Sequence, residues 1–176
     1  MLQNMDIAIF RFFNSAAHFP LLDRAMPYIT EIGSGEMIFA VAVVMLLFVG
    51  KKKNVLCGIV LMAGSTFAYN TGHILKGVIQ RPRPFMVLTD VELLIKAGGF
   101  SCPSNHSTMA FTAAAVLSRY FGKAYIFFTL AAIVGISRIY LGVHYPSDVV
   151  FGALLGTAIG TLLARLAEKA AGGLER

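Results

Sequence analysis

Charge is scarce in this chain. Only 14% of its residues are Asp, Glu, Lys or Arg, 57% are hydrophobic, and the mean hydropathy of +0.72 lies far from the balance of a water-soluble domain. An ordinary soluble enzyme is excluded, and the sequence reads as one membrane-embedded domain over residues 1–176. The formal net charge is +6, yet the basic residues are scattered between apolar runs and form no stripe, so no nucleic-acid partner is expected. Cysteine is limited to Cys57, inside an apolar run, and Cys102, in a loop expected at the opposite face. Their Cα atoms would be too far apart for a disulfide. The opening stretch lacks a short charged region followed by a small-residue cleavage site, so no removable signal peptide is expected. Tandem repeats and low-complexity linkers are also missing.

What remains is apolar. Five runs are long enough to consider as spans, at roughly 34–50, 54–78, 104–121, 124–143 and 147–168. The fold class expected is therefore all-α: a polytopic membrane bundle of about five to six transmembrane helices. Ahead of the first run, residues 5–19 place Ile7, Phe10 and Phe13 at helical spacing, with Asp6, Arg11 and Asn14 between them. That pattern suits an N-terminal interfacial helix, with a short additional span as the alternative. Lys51, Lys52 and Lys53, Arg119 and Lys123, and Arg165, Lys169 and Arg176 fall on one side of this topology, which the positive-inside tendency makes cytoplasmic. The other side keeps Arg11, Arg24, Arg81 and Lys96 as ordinary cations once Lys76, Arg83 and Arg138 are set aside as site candidates.

Those candidates belong to polar clusters at one membrane face. In KGVIQRPRP, residues 76–84, Lys76 ends a span and Arg83 sits between prolines that fix the backbone around it. By itself this could be a snorkelling lysine and a basic interfacial turn. In CPSNHS, residues 102–107, Pro103 and Ser104 announce a helix start whose unpaired amides suit an anion, with His106 within reach. In SRIYLGVHYPSD, residues 137–148, Arg138 lies near a helix end while His144 and Asp148 straddle the next helix start. A carboxylate beside an imidazole fixes its tautomer and leaves the other nitrogen free as nucleophile or base. Cations, helix-start amides and histidines around one point describe a phosphoryl site. The other outer carboxylates, Asp6, Asp23, Glu31, Glu36, Asp90 and Glu92, show no metal-ligand spacing, so the chemistry is expected to need no metal and no cofactor.

These residues resemble the type-2 phosphatidic acid phosphatases, a family related to bacterial acid phosphatases and vanadium haloperoxidases. Lys76 followed by Arg83 and Pro84, then Pro103, Ser104 and His106, then Ser137, Arg138, His144 and Asp148 match its three motifs at their spacing. Asn105 stands where the family has glycine. The resemblance implies that His144 attacks phosphorus to form a phosphohistidine, that Asp148 orients it, and that His106 protonates the leaving oxygen. Lys76, Arg83, Arg138 and the Ser104 backbone would hold the phosphoryl oxygens, with Asn105 and Ser137 as candidate substrate contacts; His73, one turn before Lys76, is a further candidate whose alternative is a structural or interfacial role. It also implies a phosphorylated membrane lipid as substrate, no obligate protein partner, and a bacterial inner membrane setting with the site facing the periplasm or exterior. Undecaprenyl diphosphate is the first choice, ahead of lipid A 1-phosphate and phosphatidylglycerophosphate. A vanadate-dependent oxidoreductase and a noncatalytic lipid-binding or transport protein are the competing classes. VELLIKAGGF, residues 91–100, reads as a flexible lid with Gly98 and Gly99 as hinges.

Overall fold

In the computed structural model, which describes residues 2–16, 18–48 and 52–174, helices follow the apolar runs and stop where proline, glycine or a left-handed residue interrupts them. In chain order they are α1 (Leu2–Arg11), a π turn (Phe12–Ala16), α2 (Pro20–Glu31), α3 (Gly35–Phe48), α4 (Lys52–Ile79), α5 (Pro84–Val87), α6 (Asn105–Phe121), α7 (Ala124–Tyr140) and α8 (Pro146–Leu174). No strand occurs among the described residues, in keeping with the all-α expectation. Helix α4 gives way at Gln80, whose φ is +51°, just before Pro82 and Pro84. Ser104 caps α6, accepting the Ser107 amide on its hydroxyl at 3.4 Å, and Gly122 closes that helix at φ +68°.

Fewer helices qualify as crossings than the hydropathy implied. Two stretches, Lys52–Val87 and Pro146–Gly172, are long and apolar enough, with a third if α2 and α3 form one span bent by 53°. The runs at 104–121 and 124–143 became the helices α6 and α7 of 17 residues each, about 26 Å at ~1.5 Å per residue against a ~30 Å core. Helix α2 extends the first run backwards, to Pro20. Of the basic clusters expected at the cytoplasmic side, Lys51 and Arg176 lie outside the described residues.

The centre of the bundle is the contact between α6 and α8. Gly152, Gly156 and Gly160 repeat every fourth residue along α8 and face α6. A Cβ placed on them would lie 2.8, 2.1 and 2.5 Å from the carbonyl oxygens of Ser104, Thr108 and Thr112. The two backbones therefore touch, as small-residue stripes permit in membrane helices. Thr112 Oγ1 donates across the seam to the Gly156 carbonyl at 3.1 Å. Leu61, Met109, Val116 and Ile159 fill the core beside it, while Leu154, Leu162 and Leu166 on α8 face outward at more than half exposure, as lipid contact requires. At one end Arg119 of α6 and Glu168 of α8 pair at 2.7 Å.

Helix α1 and the π turn lie across the other end. Phe10 is fully buried against Ile139 and Tyr145, with Ile7 and Phe13 beside it. Of the polar residues between these apolar positions, Arg11 pairs with Asp90 at the surface, while Asp6 and Asn14 are anchors. Asp6 accepts from the Ser147 amide at 2.9 Å, and the fully buried Asn14 bonds the Tyr140 and Glu92 carbonyls and the Glu92 amide. Sequence periodicity misses this because those polar atoms satisfy backbone groups at helix ends rather than water.

Candidate active site

Helix α7 ends at Tyr140 with Leu141 as its cap, and Gly142, at φ +81°, turns the chain into Val143 and His144 before α8 starts. A side chain at Gly142 would meet the Glu92 carbonyl at 2.7 Å, so this turn needs glycine for both its backbone angle and its space. His144 emerges 2% exposed. Asp148, one turn into α8, is fully buried and accepts from the Tyr145 amide at 2.9 Å, the backward half of a capping box. The cap of α6 joins the same point, because the Ser104 amide donates to the Asp148 carbonyl at 3.1 Å.

The cations arrive from three elements. Arg83, leaving the proline turn, donates from Nε to the Gly99 carbonyl, from one terminal nitrogen to the Gly98 carbonyl and from the other to the Val143 carbonyl. That last nitrogen also lies 3.4 Å from His144 Nε2. Lys76 Nζ donates to the carbonyls of Phe100 and Ser101 at 2.7 and 2.9 Å. Arg138 is 5% exposed, donates to Thr30 Oγ1 at 2.9 Å, and has its Nε buried without a partner. With His106 and His144 these cations line one cavity of about 690 Å³. Asn105 and His73 line it too, and Asn105 Oδ1 is buried without a partner.

Several expectations change in detail. Ser104 is fully buried, its amide is committed to Asp148 and its hydroxyl to the helix cap, so the free first-turn amides are those of Asn105 and His106. The Ser137 hydroxyl donates to the Val134 carbonyl at 2.7 Å, folded back on its own helix and away from the cavity. The 91–100 segment is not a free lid: Asn14 holds Glu92, and Arg83 holds both proposed hinge glycines. Arg81, read as an ordinary cation, is bonded to Asp148 Oδ1 at 2.7 Å and Asp6 at 2.6 Å and covers the Tyr145 ring. Ser101, absent from the sequence reading, places its hydroxyl 2.5 Å from Asp148 Oδ2 and 3.4 Å from His144 Nδ1. Arg81 lies within the 76–84 cluster but at a position its spacing does not specify, and Ser101 lies just before the 102–107 cluster. Cys57 and Cys102 are both free thiols.

Burial holds the His144 imidazole well below its ordinary pKa of 6.5; the Asp148 carboxylate opposes this, and Arg138, Arg83 and Lys76 add to it. The ring is neutral and keeps a lone pair. One pH unit below 6.5 an ordinary imidazole is about 90% protonated, whereas the nitrogen chemical shifts of His144 should still report a neutral ring. A protonated ring under those conditions would contradict the burial argument. The unfolded chain takes up this proton and the folded one does not, so stability should fall as pH drops below about 6.5.

The profile of the PAP2 superfamily matches residues 54–171. Undecaprenyl-diphosphatase BcrC of Bacillus subtilis is 32% identical over 93% of this chain and 85% of its own length. Lipid A 4'-phosphatase of Bacteroides thetaiotaomicron is 32% identical over 96% of this chain and 79% of its own. The crystal structure of a transmembrane PAP2-type phosphatidylglycerolphosphate phosphatase from Bacillus subtilis aligns with a TM-score of 0.80 at 27% identity, covering 96% of this chain and 87% of that one. The three names carry three different lipid substrates.

Proposed function

The chain belongs to the PAP2 superfamily, and from that premise we propose that it is a single-domain integral membrane phosphatase, hydrolysing a phosphorylated lipid through a phosphohistidine. The observation that carries this reading is the one cavity collecting Lys76, Arg83, His106, Arg138 and His144 from all three motifs. His144 Nε2 attacks phosphorus as the bond to the leaving oxygen breaks, and His106 gives that oxygen its proton. Water then attacks the phosphorus of the phosphohistidine, His106 taking the water's proton as the Nε2–P bond breaks, which releases phosphate and returns His144 to its free form. Lys76, Arg83, Arg138 and the first-turn amides of α6 hold oxygens that carry charge in the transition state. In this reading α3, α4, α6, α7 and α8 are the five crossings, and the site faces the periplasmic or outer side of a bacterial inner membrane; the basic residues Lys52, Lys53, Lys123, Arg165 and Lys169, none of which lines the cavity, support that orientation. The protein needs no obligate partner.

Undecaprenyl diphosphate is the substrate the cavity favours. Lys96 and His73 line it beyond the motif cations, where Lys96 offers charge and His73 a hydrogen-bonding ring nitrogen to a second phosphate. The cavity also shares Tyr69 and Met109 with an apolar groove of about 210 Å³, lined by Ile38, Phe39 and Met62, which suits a lipid tail. Lys96→Ala should therefore lower kcat/KM for a polyprenyl diphosphate roughly tenfold, the weight of one lost exposed charge contact, with a monophosphate changed less than twofold. Equal losses on both would remove the second-phosphate role. The function itself is tested by phosphate release from purified protein in detergent with excess chelator, offering undecaprenyl diphosphate, lipid A and phosphatidylglycerophosphate side by side. No release from any of them by folded protein would overturn the phosphatase reading.

A further inference from the structure

We propose that Ser101 is a positioning residue that couples Asp148 to the attacking histidine, an inference that rests on the phosphohistidine reading above. Asp148 Oδ2 lies 3.7 Å from His144 Nδ1, beyond hydrogen-bond range. Its carboxylate is already occupied by Arg81 on one oxygen and by the Tyr145 amide on the other. Between carboxylate and imidazole sits the Ser101 hydroxyl, 2.5 Å from Asp148 Oδ2 and 3.4 Å from Nδ1, in a residue with no solvent exposure. A hydroxyl donates one hydrogen and accepts on its lone pairs. The charge of Asp148 fixes the direction: Ser101 Oγ–H donates to the carboxylate, and its lone pair accepts Nδ1–H. That leaves Nε2 as the unprotonated nitrogen beside Arg83.

The backbone of Ser101 is held as firmly as its side chain. Its amide donates to the Arg81 carbonyl at 2.8 Å, and its carbonyl accepts from Lys76 at 2.9 Å. One residue thus ties the proline turn, the end of α4, the nucleophile turn and the start of α8. As the N–P bond forms and the bond to the leaving oxygen breaks, the ring becomes cationic. Nδ1 keeps its proton, and its bond to Ser101 shortens as the ring charge grows. No proton travels along the relay; the hydroxyl transmits the field of Asp148 and holds the ring plane.

The test is a cycle of Ser101→Ala, Asp148→Asn and the double variant, with Ser101→Thr as the hydroxyl-retaining control and a melting curve for each. Ser101→Ala should lower kcat roughly 10- to 100-fold with KM within about twofold, the scale of a displaced reacting group. Ser101→Thr should recover most of that loss. In the Asp148→Asn background, Ser101→Ala should cost less than about twofold, because the residue it serves is already gone. Losses that multiply, or a Thr variant as slow as Ala at unchanged melting temperature, would overturn the relay and leave the phosphatase reading intact. An inactive wild type would instead overturn that reading and this inference together.

Discussion

His144→Ala should abolish phosphate release while the phosphorylated lipid still binds. The loss expected is roughly 10⁴- to 10⁶-fold in kcat, the range for removing a nucleophile from a preorganised site. The binding half survives because Lys76, Arg83 and Arg138 come from other elements, and none depends on the imidazole for its anchor. Arg83 keeps the Gly98, Gly99 and Val143 carbonyls after the ring is gone. His106→Ala should behave differently. An acid that protonates the leaving oxygen contributes about 10²- to 10⁴-fold, and the penalty should shrink for a soluble aryl phosphate whose leaving group needs no proton. Quenched-flow labelling with a 32P-phosphorylated substrate separates the two: the His106 variant accumulates phosphoenzyme with the aryl ester, and the His144 variant never does. Labelled protein in His144→Ala would mean that another residue attacks.

The motif residues were legible because their chemistry is rare in an apolar chain. Arg83, Arg138, His144 and Asp148 stand out wherever charge at membrane depth is costly, and the cavity brings the first three to one place. Direction was not legible. Ser137 precedes Arg138 in the same motif, yet its hydroxyl turns back to Val134, since a hydroxyl on a buried helix meets its need locally when no external partner is nearer. Arg81 sits two residues from Arg83 and looks equivalent in sequence. The proline between them sends one to Asp148 and Asp6 and the other to the loop carbonyls and His144. Ser101 escaped notice, and Asn14 was read only as a polar residue between apolar positions, for a related reason: a single Ser or Asn carries no periodic signal, and its importance comes from non-local geometry. The glycines of 91–100 suggested a hinge by composition, but whether a glycine loop moves depends on what grips its carbonyls, here Arg83.

Gly156→Val should disrupt the site from a distance, through the fold. Its Cβ would stand 2.1 Å from the Thr108 carbonyl oxygen and 3.0 Å from the Thr112 amide nitrogen, and neither is a side chain that can swing aside. Helices α6 and α8 must separate, which costs at least about 3 kcal/mol at the severe end of overpacking, and Thr112 Oγ1 loses its partner on Gly156. The separation reaches the chemistry because the Ser104 amide on the cap of α6 is bonded to the Asp148 carbonyl on α8. His106 belongs to one helix and Asp148 to the other, so a shift of about 1 Å between them is enough to lose roughly 100-fold in rate. The stripe Gly152, Gly156, Gly160 went unread in the sequence and shows its role only in the packing, where helix contact and site assembly are one event. Gly172→Ala is the matched control, with nothing within 4 Å of the added methyl. The melting temperature in detergent and the rate of phosphate release should fall together in Gly156→Val and stay at wild-type values in Gly172→Ala. Full activity in a stable Gly156→Val protein would show that α6 and α8 need not touch for the histidines and Asp148 to meet.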